Sequence, residues 1–392
     1  MDTSVKNFDV IVVGAGPSGL SAAKVLADNG INTLVIERTL SSSRSFYGGI
    51  VSEERIKEIF SNFCDSSGKV LAPFERVVDQ YRAYILDETS FTSYNVQNDG
   101  QHCYIVLREP FNNWLVHEVE NSGAMVLKGV TVTELILEDG KVVGVKTKNE
   151  KYFAKVVVIA EGSKATLVKK SGLRTGELSS RETFIFAEET LQLSPKVIEE
   201  RFNLLPFNGV AVKLFTQGMF NIPSIGYIYT NHSSIVIGVG ILFSKSVESG
   251  LNISNALDRL KEHPSLRPLI SGGLTNHYSS YILPVSSVQN KTTSELKLFS
   301  DGCILTGGCA SLVDLFSWDW SLIGFLSGRT AANTVLEAYK RNDFSKSTLS
   351  LYRENLEKEV FPQMLNSGLI HGTDEFKLQV MNNLSSFILE RK

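Results

Sequence analysis

An α/β fold with a parallel sheet, an inserted α+β region and C-terminal helices is what the sequence predicts, and three features carry that expectation. Phe8 to Ile36 reads as strand, glycine turn, helix and strand. Val156 to Ala160 is apolar on both faces, as a buried parallel strand is. Gly302 to Gly308 repeats the strand-then-glycine pattern, and an apolar, small-residue helix over Ser321 to Tyr339 would pack back on the first unit.

Between these anchors the elements follow in order. Phe8 to Val13 is a β-branched run, Gly14 to Gly19 the turn, Leu20 to Asn29 the helix and Asn32 to Ile36 the second strand. A polar linker, Ser41 to Ser45, leads to Gly48-Gly49 and a short charged helix, Ser52 to Phe60. Alternation from about Val70 to Val106 predicts strands, clearest at Tyr81 to Leu86 and Cys103 to Leu107. After Pro110, Phe111, Trp114, Leu115 and Val119 recur at helical spacing. Val130 to Leu137 and Lys141 to Lys148 are strands joined by the hairpin signal Glu138-Asp139-Gly140. The stretch from about 175 to 295 reads as strands and turns with one helix, Asn255 to Glu262, and the tail from Ser345 as charged amphipathic helices. The expected division is a dinucleotide unit in three parts, 1–70, 107–172 and 296–340, a substrate domain in two, 71–106 and 173–295, and a helical region, 341–392.

Composition narrows the function classes. With 39 basic against 42 acidic residues and a net charge of -3, the chain has no field suited to nucleic acid. Its four cysteines, Cys64, Cys103, Cys303 and Cys309, include no CxxC pair, so no iron–sulfur cluster of its own is expected. The six histidines show no ligand spacing, so no metal is expected. The start, MDTSVKNF, runs into a strand without a secretory signal, and no apolar run reaches spanning length. A cytoplasmic protein is expected, with peripheral contact on the inner face of the cell membrane left open.

The chemistry starts at VIVVGAGPSG. Gly14 permits the tight turn, Gly16 lets the backbone approach a pyrophosphate, and Gly19 lets helix and strand pack, leaving the helix N-terminus to attract phosphates. Glu37, 23 residues after Gly14, is placed to accept from a ribose hydroxyl. The unit therefore holds the ADP half of a dinucleotide. One fingerprint at the N-terminus, a hairpin before a late parallel strand and a glycine turn past residue 300 point to FAD. Arg108, just before the Phe111 helix, can reach the adenosine end.

These residues carry a family resemblance. The chain resembles the geranylgeranyl reductase and electron-transfer flavoprotein:quinone oxidoreductase superfamily, and its FixC branch most of all. The likeness runs nearly end to end, through GAGPSGLSAAKVLADNG, Gly48-Gly49, VLREPFNNWL, VVVIAEGSKATLVKKSGL, VIEERFNL, LKEHPSLRPLISGG, HYSSYILP, SDGCILTGG and NDFSKSTLSLYRENL. It implies a Rossmann-like FAD-binding domain of the glutathione-reductase type with an inserted substrate domain. It places Arg38, Gly48, Gly49, Val132, Glu161, Gly162, Gly307 and Gly308 beside the cofactor with the residues named above. It implies electrons passing from an electron-transfer flavoprotein, or a similar donor, toward a quinone or a ferredoxin-like subunit. The protein's share is positioning and electrostatics, and no catalytic side chain is assigned. Two other readings stand beside it: a geranylgeranyl-type reductase of isoprenoids, and a catalytically lapsed homologue that serves assembly.

The second cofactor motif departs from the family. Gly308 stands where GDAxx has its ribityl-binding aspartate, and Ser317-Trp318-Asp319-Trp320 stands where related reductases carry glycines. Two tryptophans add bulk at the flavin end, and Asp314 or Asp319 is a candidate replacement acceptor. Glu161 in place of aspartate keeps the charge. Cys309 reads as a small apolar residue, His277 and Tyr278 as residues preceding a strand, and Lys169, Lys170 and Arg174 as a solvated basic face.

Overall fold

The computed structural model describes residues 6–41, 48–97, 100, 102–175, 179–222, 224–284, 296–315, 317–319 and 321–366. The chain builds two sheets and crosses between them repeatedly. It begins in the first sheet with β1 (Lys6–Val13) and β2 (Thr33–Glu37). It then lays β3 (Gly48–Ser52), β4 (Arg76–Leu86), β5 (Phe91–Gln97) and β6 (Cys103–Leu107) in the second. It returns for β7 (Met125–Lys128), β8 (Val132–Glu138), β9 (Lys141–Thr147) and β10 (Lys151–Ile159). A second excursion gives β11 (Thr183–Gln192), β12 (Asn208–Phe215), β13 (Ser224–Thr230), β14 (Ser234–Leu242) and β15 (Leu274–Pro284), before β16 (Phe299–Ser300) and β17 (Cys303–Leu305) close the first sheet.

In the first sheet β1 lies between β10 and β2, β17 lies beyond β10 and β7 beyond β2, and all these pairings are parallel. Val10 to Val12 and Val156 to Ile159 are buried on both faces, which a sheet covered by helices on either side demands. The β8–β9 hairpin turns at Asp139 and Gly140, both at positive φ as a type I′ turn needs. The Pro17–Asp28 helix covers one face, and the Leu322–Arg341 helix packs along it. A Cβ on Gly328 would sit 2.0 Å from the Ser18 carbonyl oxygen, so the small residues of that helix set how closely the two dock.

The second sheet runs β15-β11-β14-β13-β12-β4-β6-β3, with β5 on β4. Its pairings are antiparallel except that β12 runs parallel to β4. One face is apolar and covered by helices, including Ile253–Glu262, whose Ile253, Ala256, Leu257 and Leu260 are buried at helical spacing. The opposite face is aromatic: Tyr81, Phe184, Phe186, Tyr227 and Tyr229 pack there with Leu315, Trp318 and Tyr281.

Several local readings change. Gly48–Ser52 is a strand of the second sheet, because its amides pair with β6 instead of joining the dinucleotide unit. The helix expected after Pro110 spans Arg108–Asn121, with Pro110 in its first turn, where no intrahelical donor is lost. His277 and Tyr278 lie inside β15. Arg174 is buried, donating to the Cys309 carbonyl and the Ser311 hydroxyl, so it braces the second glycine turn and leaves the basic face. Of the C-terminal helices, segments up to Asn366 are seen, and the rest of that expectation lies outside the described residues, as do Ser42 to Tyr47.

Candidate functional site

The first glycine turn has the geometry its spacing implies. Gly14 has φ +109°, and a Cβ on it would lie 2.3 Å from the Ala160 carbonyl oxygen. A Cβ on Gly19 would lie 1.9 Å from the Gly14 carbonyl oxygen, so that glycine serves helix–strand contact. Gly16 is different: the nearest protein atom to a Cβ there is Nη2 of Arg108 at 3.9 Å. Protein packing leaves that side of the turn open.

Around this opening stand groups that await a polyanionic ligand. Arg108 is half-buried at the start of its helix, and among the described residues its guanidinium makes no hydrogen bond or ion pair. Burial pulls its pKa down to about 10, with Glu37 opposing. Asn112, one turn on, donates to the Ala15 carbonyl at 3.1 Å, while its buried Oδ1 has no partner. Glu37 accepts from the Ala15 N–H at 2.9 Å and from the amide and hydroxyl of Thr39 at 2.8 and 2.7 Å. A carboxylate has about four acceptor sites, so one remains for a ribose hydroxyl. Arg38 is exposed beside it. The orphaned Asn112 oxygen, the unpaired Arg108 and the open side of Gly16 fit the ADP half of FAD.

The other residues that the resemblance places beside the cofactor have different surroundings. Glu161 accepts from the Leu167 and Val168 amides at 3.0 and 2.8 Å and so caps the Thr166–Lys170 helix. Gly162, at φ +76°, forms the bend after it. Val132 opens β8 and packs on the first core. Gly48 abuts Val106 and Val236 in the second sheet, while a Cβ on Gly49 would meet nothing within 4 Å.

The second glycine turn folds back on the first. Gly307 has φ +65°, and a Cβ there would lie 2.3 Å from the Ser18 hydroxyl. At Gly308 a Cβ would lie 3.0 Å from the Ser163 hydroxyl and 3.1 Å from its amide. The place of an acidic side chain is thus crowded by the Ser163 loop. Neither nearby aspartate is free to replace it. Asp319 accepts from the Ser321 and Leu322 amides at 3.0 Å, from the Ser321 hydroxyl and from the Ser52 amide at 3.2 Å. It therefore holds the start of the Leu322–Arg341 helix, and burial pushes its pKa up against those bonds. Asp314 accepts from the Ser317 amide at 3.3 Å.

Between Asp314 and Asp319 the Trp318 ring turns toward the aromatic face. It packs on Tyr81 with centroids 4.9 Å apart, and the Lys213 ammonium lies over it at 4.4 Å. Trp320 lies outside the described residues. Lys213 is buried toward the end of β12; burial pulls its pKa down to about 7, and Asp314 resists. Trp318 thus bridges the loop after Gly308 and the second sheet. Trp318→Gly is expected to tighten FAD binding at least threefold, read by quenching of flavin fluorescence on titration into apoprotein. Unchanged or weaker binding would make Trp318 a packing residue only.

The sequence reading passed over Lys213, Glu188, Tyr227, Tyr281 and Asn112. The signal for the sheet residues was a lysine inside the apolar strand VAVKLF and a glutamate pair inside TFIFAEETLQ, together with the alternating glycines of VIGVGIL. A Cβ on Gly238 would lie 2.3 Å from the Tyr227 ring and one on Gly240 2.3 Å from the Phe186 ring, so both glycines let aromatic rings lie flat on the sheet. Among the described residues no three His, Cys, Asp or Glu side chains converge as a metal site.

With this geometry, the chain can be compared with known proteins. Residues 8–198 match the sequence family described as pyridine nucleotide-disulphide oxidoreductase. Protein FixC of Escherichia coli (strain K12) is 32% identical over 358 residues, covering 89% of this chain and 81% of the relative. Protein FixC of Azorhizobium caulinodans is 32% identical over 364 residues, with 90% and 81% covered. Among solved structures, a geranylgeranyl bacteriochlorophyll reductase-like protein from Thermoplasma acidophilum superposes with a TM-score of 0.73 at 22% identity, over 93% of this chain and 87% of that one. The flavin-dependent brominase Bmp2 gives 0.68 at 17% identity, over 89% and 83%. At such identities the two structures speak to the fold.

Proposed function

We propose, from the premise that this chain belongs to the FixC family of FAD-dependent oxidoreductases, that it takes electrons from an electron-transfer flavoprotein or similar donor and passes them toward a quinone or a ferredoxin-like subunit. FAD, when bound, supplies hydride or single-electron transfer. The chain's own residues do the rest. Gly14, Gly16 and Gly19 admit the pyrophosphate to the helix N-terminus, Arg108 offsets its charge, and Glu37 and Asn112 orient the adenosine end. Lys213 lies over Trp318 on the aromatic face, where Asp314 favours its charged form against burial.

The observation that supports a quinone-type acceptor is the face beyond Trp318. It joins flat aromatic surface, with Phe186 and Tyr281 stacked at 5.3 Å and 7°, to buried Glu188 and Lys213. A flat ring edged by carbonyls suits such a surface. An isoprenoid chain calls for a continuous apolar lining, which the two charged residues interrupt, so the quinone reading is preferred to the isoprenoid one. Among the described residues no helix is long and apolar enough to cross a membrane.

The absorbance spectrum of the purified chain is the first test. Flavin bands at about one FAD per chain, bleached by reduced electron-transfer flavoprotein and restored by a quinone, are expected. A colourless chain that takes up no added FAD would favour the lapsed assembly subunit, and a yellow one bleached only by other donors would remove the electron-transfer flavoprotein from the scheme.

A further inference from the structure

The register of the second sheet draws a polar line across its aromatic face. Ser279 of β15 pairs with Glu188 of β11, Glu188 with Gly238 of β14, Gly238 with Tyr227 of β13, and Tyr227 with Lys213 of β12. Five strands thus put four polar residues in one row, with a glycine in the middle. Because Gly238 has no side chain, the Tyr227 ring lies over it and its hydroxyl reaches across to donate to Glu188 Oε2. The Ser279 hydroxyl donates to the other carboxyl oxygen at 3.0 Å, and the Tyr281 hydroxyl meets that of Tyr227 at 2.9 Å.

Burial grades along this cluster. Glu188 is wholly buried, Tyr227 is 2% exposed, and Tyr281 is half-buried, on a strand at the edge of the sheet. A wholly buried carboxyl is costly in a fold that only needs packing, where an apolar side chain of similar size serves as well or better. Tyr229 packs on Tyr227 with ring centroids 5.2 Å apart, and burial, then Glu188 and Asp319, disfavours its anion. Burial and Glu188 likewise push the Tyr227 and Tyr281 hydroxyls up, so both hold their protons at neutral pH.

We propose that Tyr281, Tyr227 and Glu188 form a proton relay serving a quinone-type acceptor bound on the aromatic face; this rests on the oxidoreductase reading above. Reduction of a quinone to a quinol takes two electrons and two protons. A hydride delivers both electrons and one proton. Tyr281 gives the second proton to the developing oxyanion, with its O–H bond breaking as the quinol O–H forms. The Tyr281 phenolate takes the proton of Tyr227, whose hydroxyl turns to it from the Glu188 carboxylate. A proton from bulk solvent, handed by the Ser279 hydroxyl to the Glu188 carboxylate and on to the Tyr227 oxygen, restores the row. Side chains that read as strand packing thereby act in acid–base chemistry.

The test uses FAD-loaded protein reduced with dithionite, then mixed separately with a short-chain naphthoquinone, which needs protons, and with ferricenium, which accepts one electron and none. In Tyr281→Phe and Glu188→Gln, the ratio of naphthoquinone to ferricenium rate constants is expected to fall at least tenfold. The solvent deuterium isotope effect on the naphthoquinone reaction of the wild type should shrink in both variants. Naphthoquinone binding to the oxidised protein, followed by tryptophan quenching, should stay within twofold. An unchanged ratio in folded variants would overturn the relay and leave the oxidoreductase reading standing, and lost quinone binding would overturn it by making Tyr281 a binding group. If neither acceptor reoxidises the wild type, the electron-transfer reading fails and the relay with it. Tyr227→Phe is the second probe should Glu188→Gln not fold, and it is expected to lower the ratio likewise.

Discussion

Gly16→Ala protein is expected to fold normally and to purify without colour. A methyl group at this position meets no protein atom closer than the Arg108 guanidinium at 3.9 Å, and Gly16 does not need a positive φ. The folded apoprotein should therefore melt within a degree or two of the wild type. The methyl does project where the pyrophosphate must approach the backbone. FAD affinity is expected to fall at least 100-fold, about 2.7 kcal/mol, measured by titration of apoprotein against flavin fluorescence. Gly19→Ala supplies the contrast: its methyl would lie 1.9 Å from the Gly14 carbonyl oxygen, so helix and strand must separate and both stability and FAD affinity should drop. Retention of bound FAD by Gly16→Ala would place the phosphates elsewhere.

Arg76→Ala is expected to cost about 3–5 kcal/mol of stability, read as a lowered midpoint of urea unfolding. Arg76 is wholly buried, and its guanidinium makes four hydrogen bonds. Nε donates to the Asn231 carbonyl at 2.8 Å, Nη1 to Glu199 at 2.9 Å and the Asn208 carbonyl at 3.0 Å, and Nη2 to the His232 carbonyl at 3.1 Å. One side chain thus pins the start of β12 and the β13–β14 turn to the start of β4. Removing it leaves three carbonyls and a carboxylate without this partner, the Asn231 carbonyl among them in a wholly buried residue. Arg76→Lys keeps the charge but not the planar fork, and should recover only part of the loss. A midpoint unchanged by Arg76→Ala would show that water enters and satisfies the stranded groups.

The glycine turn was legible in sequence because everything it needs is local. Gly14, Gly16, Gly19 and Glu37 lie in one strand–helix–strand unit, where spacing alone fixes geometry. The aromatic face was not legible, because its chemistry is assembled by register. Glu188, Tyr227 and Lys213 come from three strands spread over 40 residues of sequence, and each taken alone looks like a strand residue with one odd neighbour. Arg76 and Arg174 were hidden for a related reason: a charge is read as solvated until the strands that bury it are known. Trp318 lay between the two cases. Its bulk was visible, but its packing on Tyr81 and Lys213 appears only once β4 and β12 lie side by side.

That parallel pairing of β4 with β12 also sets a timetable for synthesis. Leu86 leaves the ribosome 122 residues before Asn208, which at a typical 5–20 residues per second is roughly 6–25 s. Through that interval β4 lacks one lateral neighbour, and β10 later waits in the same way for β17. Long-range parallel pairing is slow and leaves strand edges open to other chains. Yield in a heterologous host should therefore depend on translation rate and on chaperones that shield nascent edges, more than on the stability of the finished fold.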